Sequence, residues 1–340
     1  IFLLNLSGAI NHELKNFDKA IDFFNQIIRI NKNFVDAYYN LGFLYKKINK
    51  IEDSIYNYNK CVEINPKKYE AFNNLGNIYR DLGNIDKAIE NYLRCLEINS
   101  NYLIALQNFG VCLQNFYFTK ESHLVDKHII NLLKEEKILR PVDVINSLIS
   151  YLFLNNNFKE LVGNYENLEN KLSIDLLIKK ILKNKIFIYL LNITPITNLK
   201  LEKIIKSLRK KILLNIGSIK NKKSAIKITT AIAKQCFINE YIYSTDTIEE
   251  KKLRDIEYKI LNSFDKNKYN DNILEILCMA SYKSLNSYNW SNEMINLDLI
   301  EDVIEQQINE PKYEVSLENK ILSKEIYDNI SIKVKNQYES

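Results

Sequence analysis

Glycine and proline are scarce, with seven and four residues in a chain of 340. A shortage of both predicts an almost entirely helical protein, long enough for two domains. Histidine is rarer still, at three residues, and His123 and His128 are five apart with Asp126 between them, so they do not share a helix face and no metal site is expected. There is no Gly-x-Ser-x-Gly elbow and no phosphate loop. After Gly110 only Gly163 and Gly217 remain, each alone, so the glycine cluster that lets backbone approach a nucleotide cofactor is missing. These residues are therefore expected to hold no catalytic site and no cofactor. The five cysteines form no Cys-x-x-Cys pair and are expected to be buried, reduced thiols in a cytoplasmic protein. No segment approaches the roughly 18–20 apolar residues of a membrane helix. A net charge of +5 is mild and does not argue for nucleic acid. The opening Ile1-Phe2-Leu3-Leu4-Asn5 has no basic leader, cleavage site or initiating methionine, which suggests a fragment of a longer protein.

What the chain does have is a period. Gly8, Gly42, Gly76 and Gly110 are each 34 positions apart, the interval of a stack of two-helix units. In the second unit Leu41-Gly42 is followed by Tyr45, Ser54, Tyr58, Cys61 and Pro66. In the third, Leu75-Gly76 is followed by Tyr79, Ala88, Tyr92, Cys95 and Ser100. The first unit offers Gly8, Ala20 and Phe24. The fourth offers Phe109-Gly110 and then has Ser122 and Asp126 where a small residue and an aromatic are due. Small residues on both helices would allow close approach, with Tyr45 and Tyr58, or Tyr79 and Tyr92, filling the remaining space. Asn49 and Gly83 are expected in turns, and Pro66 stops a helix. The pattern resembles the tetratricopeptide repeat family over roughly residues 1–118, with Leu4, Tyr38, Phe72 and Leu106 at the family's early tryptophan position. The expected fold is all-α: a tetratricopeptide-type helical-hairpin solenoid over 1–118, then an irregular all-helical domain over 119–340.

That resemblance implies a scaffold for a protein or extended peptide, with the first helices lining the groove. The residue before each Leu-Gly or Phe-Gly pair is Asn40, Asn74 or Asn108, again 34 apart. An asparagine amide both donates and accepts, so a row of them can pair with the main chain of an extended peptide. The row resembles the asparagine ladder in the tetratricopeptide superhelix of O-linked N-acetylglucosamine transferases, with Leu6 as a departure in the first unit. Tyr39, Phe43, Asn73, Asn77, Arg80, Gln107 and Val111 are further groove candidates. Asparagine is abundant throughout the chain, and compositional bias on an ordinary helix surface would give the same spacing. The clamp that some tetratricopeptide domains use for chaperone tails is not expected, because Asn5, Ala9, Glu70 and Asn74 stand at its positions.

Beyond residue 118 helical periodicity persists in 143–154, 201–214, 253–264 and 297–308. Pro141 is expected to open a helix, Pro195 to lie in a connector and Pro311 to follow a helix end. The basic stretch Lys200–Lys227, which includes Arg209, reads as the solvated face of a helix whose apolar stripe is Leu201, Ile204, Ile205, Leu208 and Ile212. Gln235–Tyr241, Glu305–Pro311 and Asn336–Ser340 together resemble the region ahead of the catalytic domain in bacterial tetratricopeptide proteins that end in a class I S-adenosylmethionine-dependent methyltransferase. Glu240 beside Tyr241 could support such a neighbouring domain or serve the helical domain itself. On this reading the chain is the non-catalytic front of a larger enzyme, covalently linked to a C-terminal catalytic domain; the alternative parent is a glycosyltransferase related to O-linked N-acetylglucosamine transferase.

Overall fold

The computed structural model describes residues 1–135, 137–163, 173–264, 269–293 and 297–322. Every regular element among them is helical. The chain divides into two compact units, Ile1–Asn156 and Asn157–Ser340. The repeat register fades near residue 118, but residues 119–156 fold as part of the first unit.

Three hairpins open the first unit: α1 (Phe2–Glu13) with α2 (Phe17–Ile30), α3 (Val35–Lys47) with α4 (Ile51–Ile64), and α5 (Tyr69–Asp81) with α6 (Ile85–Ile98). Each turns over one left-handed residue at the same phase: Lys15 (φ 59°), Asn49 (φ 60°) and Gly83 (φ 75°). The amides of these residues donate to the carbonyls of His12, Lys46 and Arg80. The next amides, Asn16, Lys50 and Asn84, reach back to Asn11, Tyr45 and Tyr79 at 2.8 Å. This double bond pattern satisfies carbonyls that a helix end would otherwise leave open. Between hairpins the chain turns at Asn31, Asn65 and Asn99, whose Oδ1 atoms accept from the amides two residues on, those of Asn33, Lys67 and Asn101. Pro66 follows the Asn65 cap, as expected of a helix stop.

The periodic glycines are notches for rings. A Cβ on Gly8, Gly42 or Gly76 would lie 2.7, 2.9 or 2.6 Å from the ring of Phe24, Tyr58 or Tyr92 on the facing second helix. Ser54 takes the small-residue position by donating its hydroxyl to the Gly42 carbonyl at 2.6 Å. The other two tyrosines do not play the part expected of them. Tyr45 packs with the core around Phe24, and Tyr79 with the core around Tyr58. Both face the preceding unit, because only one ring fits each notch.

The fourth unit departs at its turn. α7 (Leu103–Leu113) ends early, with the left-handed residue at Asn115, and α8 (His123–Lys134) begins only after a long connector. Leu132, rather than an aromatic, sits over Gly110. Asp126 is exposed, and Ser122 is held through its backbone by the Tyr151 hydroxyl, which accepts from its amide and donates to its carbonyl. A 3-10 turn at Pro141–Asp143 and α9 (Ile145–Leu152) follow, so Pro141 opens a 3-10 turn rather than an α-helix.

From α10 (Asn156–Gly163) the chain runs through α11 (Ile174–Leu182), α12 (Lys185–Ile193), α13 (Leu199–Leu214), α14 (Lys222–Ile238), α15 (Thr247–Phe264) and α16 (Ile273–Ala280). In the second unit α14 is the hub. It packs against α11, α12, α13 and α16, and it buries residues on most of its circumference, with Ala225, Ala231 and Ala233 allowing close approach. Short 3-10 turns then lead to α17 (Glu301–Ile304), a π-helical segment at Glu305–Asn309 and α18 (Glu310–Leu322). Pro195 lies between α12 and α13 as expected. Pro311 does not end a helix but lies in the first turn of α18. Its ring nitrogen cannot bond the Gln307 carbonyl four residues back, and that carbonyl accepts instead from the Ser284 hydroxyl at 3.2 Å.

The α13 stripe of Leu201, Ile204, Ile205, Leu208 and Ile212 is buried as the periodicity predicts. Arg209 is the exception to the solvated basic face, since it is buried too. It donates to the carbonyls of Ser281, Tyr243 and Ser244, lies 3.9 Å from the Glu249 carboxylate, and stacks over the Tyr282 ring at 3.9 Å. Two of the three singled-out motifs meet this core. Gln307 donates to the carbonyls of Ala233 and Ala280 and accepts from the Leu285 amide. The Gln235 amide, in the orientation that satisfies both ends, donates to Leu191 and Thr194 and accepts from Ile196. Glu240 and Tyr241 are both left-handed, and the Tyr241 hydroxyl donates to the Ala280 carbonyl. Asn336–Ser340 lies outside the described residues.

Candidate functional site

The groove candidates all lie on first helices: Tyr39, Asn40 and Phe43 on α3, Asn73, Asn74, Asn77 and Arg80 on α5, and Gln107, Asn108 and Val111 on α7. One rule of contact joins successive helices, in that a ladder asparagine donates to the residue 35 positions earlier. The Asn74 amide donates to the Tyr39 hydroxyl at 3.2 Å, and the Asn108 amide to Asn73 Oδ1 at 3.1 Å. Asn74 also donates to the Tyr58 hydroxyl at 3.0 Å, while Asn108 Oδ1 accepts from Arg80 at 3.0 Å. Asn77 accepts from the Tyr92 hydroxyl at 2.8 Å. Asparagines 74 and 108 thus stitch the helices together. Asn40 is half-buried and makes no side-chain hydrogen bond among the described residues. Its counterpart 35 positions earlier, Asn5, has a buried Oδ1 without a partner.

Counting valences shows what is left for a ligand. Asn74 has spent both N–H groups but keeps Oδ1; Asn108 keeps one N–H; Asn40 keeps its whole amide. Burial holds the hydroxyls of Tyr39 and Tyr58 above the ordinary tyrosine range, so both stay neutral. Tyr39 meets Tyr58 edge-on at 5.7 Å and carries Lys68 over its ring at 4.9 Å. Phe43 has the His12 ring against it edge-on at 5.3 Å and Lys47 over its face at 5.4 Å. Asn73 is buried, whereas Gln107 and Val111 are exposed.

Sequence reasoning missed a second row, although its signal was in the register. His12, Lys46 and Arg80 are 34 apart near the C-terminal ends of α1, α3 and α5, where the helix dipole favours cations. Lys46 pairs with Asp81 at 3.0 Å, again 35 positions on.

No other cluster offers chemistry. All five cysteines are free and buried, and burial pushes the thiols of Cys61 and Cys95 up to about 11 and about 12, away from reactivity. His128 is buried with neither ring nitrogen bonded, while His123 and Asp126 are exposed, so the three do not converge. Among the described residues no group of histidine, cysteine and carboxylate side chains could hold a metal, and no helix is long and apolar enough to cross a membrane.

Family models described as "Tetratricopeptide repeat" match residues 3–34, 35–68 and 69–102. No curated protein matches. Among solved structures, one described as "Structure of Naa15/Naa10 bound to HypK-THB" aligns over 96% of this chain and 68% of its own, at 13% identity and a TM-score of 0.27. A score that low denotes no shared arrangement. With glycine notches, left-handed turns and asparagine connectors all recurring at the boundaries of the matched segments, residues 3–102 are three tetratricopeptide repeats.

Proposed function

We propose that the first unit captures an extended polypeptide along its first-helix face, as a non-catalytic scaffold working in the cytoplasm. The row Asn40, Asn74 and Asn108 carries this reading, because each retains amide capacity suited to a peptide main chain, which demands no particular side chains. Phe43 and Tyr39 provide apolar surface beside the row, and His12, Lys46 and Arg80 favour a partner with acidic groups.

The test exploits the difference between the asparagines. With the full chain as bait, captured partners are identified and their affinity measured for Asn40→Ala, Asn74→Ala and Asn108→Ala. Asn40→Ala is expected to weaken capture severalfold while leaving helical content and the urea midpoint unchanged. The other two are expected to lower affinity and stability together, since they also cut inter-helix bonds. Capture by Asn40→Ala at the parent affinity removes the ladder from the account. The larger enzyme that we infer around the scaffold, methyl-transferring by resemblance, places its cofactor site outside this chain. Calorimetry with S-adenosylmethionine is accordingly expected to give no stoichiometric heat, and a saturable heat would defeat that inference.

A further inference from the structure

The register of the repeats assigns a role to a surface on α1 that the peptide groove does not use. At each junction between hairpins, three positions of the incoming first helix are covered by the preceding second helix. They are Ala37, Leu41 and Leu44 on α3, and Ala71, Leu75 and Ile78 on α5, all at most 1% exposed. At the first junction Ala20, Ile21, Phe24 and Ile27 of α2 do the covering, and at the second Tyr58 and Cys61 of α4 take part. Subtracting 34 gives Leu3, Ser7 and Ile10 on α1. Leu3 is 74% exposed and Ile10 49% exposed. Bulk has moved by one turn, from Leu41 to Leu3, and the set keeps two large apolar residues and one small one.

We propose that this face of α1 is an open stacking surface whose partner is an amphipathic helix of the kind that closes every other junction: the second helix of a further tetratricopeptide hairpin. Such a helix carries a small residue and, four positions on, a ring, as in Ala20 with Phe24, Ser54 with Tyr58 and Ala88 with Tyr92. The argument is continuity. The same backbone phase is dry at both junctions within the stack and wet only here, and a solenoid gains much of its stability from nearest-neighbour interfaces. The inference stands apart from the peptide groove, which occupies other positions of the first helices.

The experiment places a copy of residues 35–68 directly ahead of Ile1 in the full chain, which keeps the 34-residue register. Amide hydrogen exchange in α1 is expected to slow at least about tenfold and the thermal midpoint to rise. Leu3→Asp with Ile10→Asp in the extended chain should abolish both gains. Unchanged exchange in α1 would overturn the proposal. So would an added hairpin that fails to increase helical signal, since the same hairpin folds against α2 in the parent. Sedimentation of the unextended chain supplies the remaining arm: a dimer that Leu3→Asp with Ile10→Asp dissociates would make a second copy the occupant and sink the proposal, whereas a monomer at all concentrations agrees with it.

Discussion

The two compact units solve the problem of joining helices in opposite ways. In the first, polar contacts repeat with the chain: the same turn bond, the same connector asparagine and the same 35-residue stitch recur, each replaceable by a neighbour's version. In the second, single side chains do work that nothing else duplicates. Arg209, Glu249, Gln235 and Gln307 are buried almost completely and tie segments far apart in sequence. A periodic architecture spreads its stability over many modest contacts, and an aperiodic one concentrates it in a few buried polar groups whose loss is costly.

The sharpest break of that contrast is Arg209→Met. It would leave the Glu249 carboxylate buried with only the Tyr282 hydroxyl and the Asp246 amide as donors, and removing one partner of a buried pair costs about 3–5 kcal/mol. Urea unfolding followed by exchange within the second unit should show that loss, with the hairpins of the first unit unaffected. A change below about 1 kcal/mol would mean that the buried network does not hold the second unit together.

Within the first unit, the regular and decayed repeats should respond to the same substitution with opposite sign. In Gly76→Ala the new methyl meets the Tyr92 ring at 2.6 Å, and the ring cannot swing aside because its hydroxyl is bonded to Asn77. Overpacking of this sort costs about 1–3 kcal/mol, more than the roughly 1 kcal/mol that alanine gains over glycine in a helix. In Gly110→Ala the nearest atom is a terminal methyl of Leu132 at 3.1 Å, which can rotate away, so the propensity gain should prevail. Thermal midpoints of the two variants falling together would show that Gly110 is still a true notch.

What could be read beforehand follows from the same division. The glycine period, the turns at Asn49 and Gly83 and the apolar stripe of α13 were legible because each is a local rule repeated or a simple helical face. The partner of each ring was not, because a glycine at one position and an aromatic sixteen later say nothing of which facing ring fills the notch. Arg209 looked like one more lysine-type charge, since burial depends on what packs over α13 and not on α13 itself. Pro311 read as a stop because the sequence does not show a serine hydroxyl arriving from another segment to take the carbonyl it frees. For the groove, the register located the asparagines but could not tell that Asn74 and Asn108 would spend part of their amides on neighbouring helices.

A pH titration separates the fourth unit from the other three. Burial, with Lys127 nearby as the smaller cause, holds the His128 imidazole below its ordinary value near 6.5, and neither ring nitrogen has a partner. The unfolded chain therefore takes up a proton that the folded one resists. Stability should be full above about pH 6.5 and fall below it, by at most about 1.4 kcal/mol per pH unit, until the lowered folded value is reached. His128→Leu should flatten this acid limb; a limb of equal slope in the variant would assign the sensitivity to other groups.

The smallest effect tests whether the turns are equivalent. Lys15, Asn49 and Gly83 occupy one left-handed position, but only glycine does so without crowding its own Cβ, and asparagine tolerates it better than lysine. Gly83 has open space around it, with nothing within 4 Å of a added Cβ, so Gly83→Ala measures backbone strain alone. It should cost about 1 kcal/mol. Lys15→Gly should return somewhat less, about 0.5 kcal/mol, because the freed backbone also makes the unfolded chain more disordered. If Lys15→Gly instead destabilises, α1 does not depend on the turn bonds to Asn11 and His12, and the first hairpin is held chiefly by the rings of Phe24 and its neighbours.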